Sequence, residues 1–443
     1  LFKNFTVWTS GPDGNLEGGS VWVVDGTIRQ VFRNVEELAT VTLPEGTQVI
    51  EGQGRHLSPG LIDCHSHMAT DSGVNEGSQS ITAEVRIGDF IDCNDITIYR
   101  QLAGGLTSAN VLHGSANPIG GQNQVIKLRW GALDEELKFR EAPPGIKFAL
   151  GENVKRSNST QPNTRYPGSR MGVEQIVRDA FYSATEYRLR HRQWNDRRAG
   201  LPPRIDLELE ALSEIIDGKR WVHCHSYRQD EILALIRTLD SFNIQIGTLQ
   251  HILEGYKVAD AMAQHGAMAS AFADWWAYKL EVADAIPYAG AIMHNQGVIV
   301  SFNSDDGELG RRMNHEAAKA VKYGGISPAE ALKFVTLNPA KQLRIDQYVG
   351  SIEVGKHADI VVWSGSPLST LSRVDETWID GRKYFDHVAD SKLQIEQEAS
   401  RQALIQKVLK SGAAMGAPGE EIDKDPSREW PRYDEFCRAK GQE

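Results

Sequence analysis

The sequence predicts an α/β protein: a (β/α)8 barrel of TIM type, with a small β-sandwich formed from both chain ends. Three observations predict it. Short apolar runs alternate with helical patterns through the long middle of the chain, the signature of a parallel sheet. Strand-like blocks rich in turn signals flank that middle on both sides. Residues able to bind metal or carry protons stand just past several of the apolar runs, where barrel enzymes place their sites.

Residues 1–58 read as the first part of the sandwich. The run 5–9 leads into Gly11, Pro12, Asp13 and Gly14, and the run 21–24 leads into Asp25 and Gly26. Asp-Gly between two strand-like runs marks a hairpin. The barrel is expected over residues 59–342. Its strands are read at 60–64, 108–112, 146–150, 221–224, 247–250, 268–272 and 297–302, and an eighth is expected within residues 156–204. Residues 171–198 read as a long basic helix. Val173, Ile176, Val177 and Ala180 fall at helical spacing, and Arg178, Arg188, Arg190 and Arg192 lie largely outside that set. Residues 343–386 return to strand and turn, completing the sandwich, and 387–443 form a charged helical tail.

The bulk numbers exclude several classes. A chain of 443 residues with 40% hydrophobic and 24% charged residues has the balance of a globular protein, with room for one large core and a smaller one. Its formal charge of −11 argues against a nucleic-acid surface and for a small neutral or cationic substrate. No apolar run reaches the roughly eighteen residues of a membrane span. Cys64, Cys93, Cys224 and Cys437 are too scattered for a disulfide framework or a zinc knuckle. The chain begins Leu1-Phe2 in a strand-like segment without Met, so a leader, tag or preceding domain is expected to have been lost, and the compartment, cytoplasmic or exported, stays open.

The strongest local signal is Pro59-Gly60-Leu61-Ile62-Asp63-Cys64-His65-Ser66-His67. Strand side chains alternate faces, so His65 and His67 point the same way, about 7 Å apart. Such a pair also occurs in packed cores, but here it ends a buried run. The placement recurs: His225 follows the run 221–224, His251 follows 247–250, and Glu152 follows 146–150. Asp305 follows the run 297–302. A carboxylate beside a bound metal can take a proton from water and hand it to a leaving group.

These pieces resemble the amidohydrolase superfamily, closest in outline to its imidazolonepropionase-like and prolidase-like members. The motif at 58–67, His225, His251 and Asn303-Ser304-Asp305 carry the resemblance. So do the closing segments 331–340 and 350–361, and the likeness extends over residues 2 to 386. It implies a metal centre with His65, His67, His225, His251 and Asp305 as ligands. A glutamate or a carboxylated lysine would bridge two ions; Glu152 is favoured, and Lys147 and Lys155 are the alternatives. It further implies a bound hydroxide attacking a carbonyl or amidine carbon, with Asp305 shuttling the proton. The ion is read as Zn²⁺, one or two, with Mn²⁺ or Fe²⁺ able to occupy such ligands. A homo-oligomer follows from the resemblance alone.

On the substrate side, His113 ends the run 108–112, and Tyr227 follows His225 closely. Both are read as substrate-binding, and Trp275 and Trp276 as rim-facing or packing. His223 shares the face of His225 but lies deeper, so it is excluded from the ligands. The expected function is hydrolysis of amide, cyclic amide or dipeptide-like bonds in small molecules. The alternatives are a mononuclear deaminase, for which Glu254 would serve, and a barrel used only for binding.

Overall fold

The computed structural model describes residues 1–70, 73–157, 164–274 and 279–411. Trp275, Trp276 and residues 412–443 therefore lie outside the described residues, as does Cys437.

The first strands are β1 (Phe2–Trp8), β2 (Asn15–Val24), β3 (Thr27–Phe32), β4 (Ile50–Glu51) and β5 (His56–Pro59). The middle contributes β6 (Leu61–Ser66), β7 (Leu106–Val111), β8 (Gln124–Lys127), β9 (Gly145–Ala149), β10 (Trp221–His225), β11 (Thr248–Gln250), β12 (Met268–Ala271) and β13 (Val300–Phe302). The chain returns through β14 (Ile360–Trp363), β15 (Val374–Ile379) and β16 (Arg382–Asp386).

The two outer blocks pair with each other. One sheet runs β16-β15-β14-β5-β1-β2-β3, with β4 beside β1. The antiparallel register of β14 on β5 sets Ile360 against Pro59 and Val362 against Leu57, so residues some 300 positions apart share one ladder. Phe5, Val7, Val21, Leu57, Ile360 and Val362 form its buried face.

The middle gives a five-stranded parallel sheet, β13-β12-β11-β10-β9, and a smaller one in which β6 pairs parallel with β7 and β7 antiparallel with β8. Every residue of β6, β7, β9, β10 and β11 is buried, which is why these strands read as continuous apolar runs rather than as alternating ones. Backbone bonds through connecting segments link the two sheets at both margins. On one side Gly120 N–H donates to Lys147 O and Lys147 N–H to Gly121 O, at 2.8 and 2.9 Å. On the other, Phe302 N–H donates to Phe334 O and Ile62 N–H to Val335 O, at 2.9 and 2.8 Å. Gly60 allows β6 to begin tight against β7, because a Cβ there would lie 2.0 Å from Thr107 Oγ1.

Two expectations are corrected. The described residues of 156–204 hold no strand. They hold instead the helix Arg170–Arg197, capped by Ser169, whose side chain accepts from Gly172 N–H, and buried along Val173, Val177, Ala180, Phe181, Ala184 and Tyr187. The strand missed in the sequence is β8, too short and too polar at its start to carry an apolar run. The run expected from 297 becomes strand only at Val300, because Val298 N–H is still bonded back to Met293 O at the end of a helix and Gly297 turns with φ 87°. The tail forms a helix over His387–Ser411 with no buried residue. Among the described residues, no helix is long and apolar enough to cross a membrane.

Candidate metal centre

Three imidazoles converge on one oxygen. The Nε2 atoms of His65, His67 and His251 lie 3.3, 3.1 and 3.2 Å from Asp305 Oδ1. His65 comes from the end of β6, His67 from the residue beyond it, His251 from just past β11, and Asp305 from the loop after β13. Backbone conformation helps to aim two of them: His251 and Asp305 sit in the left-handed region, with φ of 51° and 48°. Non-glycine residues rarely adopt it, and such strain concentrates at sites where the surrounding structure holds it.

His225, at the end of β10, packs its ring 5.1 Å from that of His251, centroid to centroid. It is fully buried, and neither of its ring nitrogens makes a hydrogen bond among the described residues. A buried imidazole left unpaired is costly unless something binds it. The other rings are oriented from behind. His67 Nδ1 lies 2.7 Å from Leu112 O and His251 Nδ1 3.0 Å from Asn303 Oδ1, so Nδ1 carries the proton and Nε2 keeps a free lone pair, the form that binds a metal. Burial, reinforced by neighbouring cationic groups, holds His65 and His225 far below the usual imidazole range, and burial takes His251 down to about 3. Burial on its own pushes the Asp305 carboxyl up, but His251, His67 and Lys147 outweigh it and hold that carboxyl far below its ordinary value. A set of neutral imidazoles around one carboxylate fits a divalent cation.

Lys147 stands inside this set. Its residue is 1% exposed, and Nζ lies 3.1 Å from His65 Nε2 and 2.7 Å from His113 O. It is the middle residue of β9, opposite His223 in register, and so shares the inward face. Glu152 does not join the histidines. β9 ends at Ala149, and Gly151, with φ 87°, turns the chain before Glu152, so strand alternation no longer governs where the side chain goes. Glu152 N–H donates to Glu281 Oε2 at 3.0 Å, and its Oε1 lies 3.8 Å from Lys279 Nζ. Lys155 is turned away onto Glu231 at 2.9 Å.

Tyr227 is fully buried with its ring 4.4 Å from that of His225, and Lys279 Nζ lies 4.5 Å above the Tyr227 ring. His113 faces its own loop: Nδ1 is 2.7 Å from Gly114 O, and Gly121 N–H donates to Nε2 at 2.6 Å. His223 is buried, and burial with nearby Arg344 lowers it to about 3.

Two positioning residues escaped the sequence reading. Asp63 Oδ1 accepts from both His65 N–H and Ser304 N–H at 3.1 Å, and its Oδ2 accepts from the Ser304 hydroxyl, clamping β6 to the loop that carries Asp305. Asn303 orients His251 and is itself held by Ser270 Oγ at 2.7 Å. The signal for Asp63 was present, a carboxylate inside an otherwise apolar strand.

The Amidohydrolase family model matches residues 203–384. The amidohydrolase tasK of Hapsidospora irregularis is 31% identical over 428 residues, covering 87% of this chain but 43% of that protein, so the chain spans less than half of its length. The imidazolonepropionase of Symbiobacterium thermophilum is 25% identical over 382 residues, 79% of this chain and 84% of that one. Among solved structures, the amidohydrolase from Thermotoga maritima MSB8 superposes with a TM-score of 0.79 at 31% identity, covering 87% of this chain and 99% of that one. The chain belongs to the amidohydrolase family. Membership implies a TIM-type barrel and a divalent-metal site, for which His65, His251 and Asp305 are the candidate cluster.

Proposed function

We propose that this chain is a divalent-metal hydrolase of carbon–nitrogen bonds in small substrates, amides, cyclic amides or dipeptide-like compounds. The observation that carries the reading is the convergence of three Nε2 atoms and Lys147 around Asp305 Oδ1, beside an unpaired His225. We further read the two inner sheets as one closed (β/α)8 barrel over residues 59–342, because backbone bonds join them at both margins. The β-sheet from 1–58 and 343–386 is a separate supporting unit, with a helical tail from 387.

His65 and His67 would hold one divalent ion and His225 and His251 a second, zinc being the simplest fit to an imidazole-rich set. Lys147, if carboxylated on Nζ by carbon dioxide, would supply the anionic ligand in place of Glu152, since it is the group that lies among the rings. When bound, the ion supplies Lewis acidity towards the scissile carbonyl or amidine and lowers the pKa of water. Asp305 accepts the proton of the attacking water on Oδ1 and delivers it to the departing nitrogen. Asn303 and the Leu112 carbonyl keep His251 and His67 in the ligating tautomer. Tyr227, buried against His225, forms the substrate-side wall and excludes water there. His113 serves the site by fixing the 114–121 loop through both ring nitrogens rather than by touching substrate.

The test is a zinc-loaded sample screened against dipeptide and N-acyl amino acid libraries, with amine release as the readout. Turnover that disappears with chelation and returns with zinc supports the reading. Release of ammonia from amidine-type rings, with no amide cleaved, would replace it with the deaminase.

A further inference from the structure

The basic helix read in the sequence ends in solvent. Its last turns and the loop beyond them, residues 188–204, hold six arginines, no lysine, no glutamate and one aspartate, Asp196, in a chain whose formal charge is −11. The helix stops at Arg197, Arg198 turns with φ 49° and Gly200 with φ 83°, and the next helix starts at Leu207. Residues 195–207 are exposed throughout apart from the partly buried Pro203, so the turn projects from the body. Leu201 stands 92% exposed in it and Ile205 65%, and Leu189, 51% exposed, precedes them on the helix.

Most of these arginines have no acid inside the protein. Arg188 pairs with Asp217, Arg190 lies 3.8 Å from Glu186, and the Arg198 guanidinium sits 4.5 Å above the Trp194 ring. Arg192, Arg197 and Arg204 make no ion pair among the described residues. The acids next along the chain are engaged elsewhere. Asp206 caps the following helix by accepting from Leu209 N–H at 3.1 Å, Glu210 accepts from the Tyr187 hydroxyl, and Glu208 stands beside Glu84. Leu189, Gln193 and Arg197 share one outward face at helical spacing, with Arg190 beside them. Cations ease the dipole of a helix C-terminus, but only within its last turn, and the dipole asks for no leucine beyond it.

We propose that this projecting turn docks the protein on an anionic phospholipid surface, with Leu201 and Ile205 entering the headgroup layer and Arg197, Arg198 and Arg204 on its phosphates. Guanidinium forks pair bidentately with phosphate, which suits a patch whose cations are all arginine. An exposed leucine on a projecting turn gains by burial in a layer that yields to it, whereas an acidic peptide would need a groove to lie in. Charges beyond about 8 Å are screened at physiological salt, so the local cations govern the contact and the net charge of −11 does not.

The experiment is co-sedimentation of the full chain with vesicles of phosphatidylcholine alone and of phosphatidylcholine with about 30% phosphatidylserine, at about 0.15 M salt. It needs no turnover and stands apart from the proposed hydrolysis. Binding to the anionic vesicles is expected to be at least about tenfold tighter than to the neutral ones, and to fall steeply towards about 1 M salt. Arg197→Gln with Arg198→Gln weakens it about 20-fold, at roughly fivefold per arginine. Leu201→Ser with Ile205→Ser weakens it at least about tenfold. Arg29→Gln with Arg382→Gln, on the outer sheet, leaves it unchanged. All six positions are exposed, and circular dichroism melts verify folding. Should a variant be lost, the parent's preference between the two vesicles still decides. Equal binding to both vesicles, or none to either, overturns the proposal. So does binding untouched by the two patch variants, or weakened as much by the outer-sheet pair. Binding to polyglutamate with none to the anionic vesicles assigns the patch to an acidic protein segment and overturns it too.

Discussion

Lys147 Nζ lies 3.1 Å from His65 Nε2, an ammonium directed at an imidazole nitrogen inside a fully buried cluster. The neutral imidazole accepts from the ammonium there, but it does so with the lone pair that a metal ion would take. Reaction of the Nζ amine with carbon dioxide, with loss of a proton, would turn the lysine into an anionic ligand and free that lone pair. Lys147→Ala is therefore expected to lose most bound metal in elemental analysis and at least about 100-fold in turnover, with partial rescue by short carboxylic acids. Glu152→Gln is expected to keep its metal. Metal loss in Glu152→Gln with retention in Lys147→Ala would return the bridge to the glutamate.

Asp305 receives three Nε2 contacts, yet its proposed task is proton transfer. Asp305→Asn preserves the shape and most of the donors, so metal content is expected to stay near that of the parent while turnover drops about 10²–10⁴-fold. A variant that remains active would remove the proton shuttle from the mechanism.

His65→Ala and His251→Ala are expected to release metal, whereas His223→Ala is expected to retain it. The His223 ring is buried with Arg344 nearby, and it is not among the rings whose Nε2 atoms meet Asp305 Oδ1. Its removal leaves a small cavity, costing about 1–3 kcal/mol in a denaturant titration, with metal unchanged. Equal metal loss in all three would redraw the ligand set.

Asn303 acts through His251. Asn303→Ala frees Nδ1 of that ring and is expected to weaken metal affinity about 10–100-fold, while the melting curve of the metal-free chain moves little. Metal competition with a fluorescent chelator measures it.

Glu208 stands beside Glu84 and Asp206, and burial, added to by those two carboxylates, raises its carboxyl to about 7. The folded chain holds this proton more tightly than the unfolded one. The group therefore costs nothing below its unfolded value of 4.5 and becomes progressively destabilising as pH rises towards 7. Glu208→Gln is expected to stabilise the protein at pH above about 7, by about 1 kcal/mol or less because solvent screens a half-open site, and to do nothing in acid. Denaturant midpoints at both ends of that range test the sign.

Much of the candidate site was legible because strand geometry is local. His65, His225 and Asp305 each follow an apolar run, and a period of two fixes which residues share a face. The same rule put His67 with His65 and put His223 deeper. It failed for Glu152 because the rule ends where the strand ends: Gly151 takes a backbone conformation that only the folded loop reveals, and Glu152 leaves with it. Lys147 was visible as a lysine in a buried run, but its neighbours His65 and His113 lie 82 and 34 residues away in the chain.

By itself, then, the sequence determined the alternation of elements, the inward face of each long strand and the chemistry gathered at the strand ends. Tertiary structure decided which oxygen the imidazoles share, which of Glu152, Lys147 and Lys155 lies among them, and how β14 at the far end of the chain pairs with β5. The division has one physical cause. Periodicity and turn chemistry act over a few residues, whereas convergence at Asp305 and the β5–β14 ladder depend on register between segments that the chain brings together only on folding.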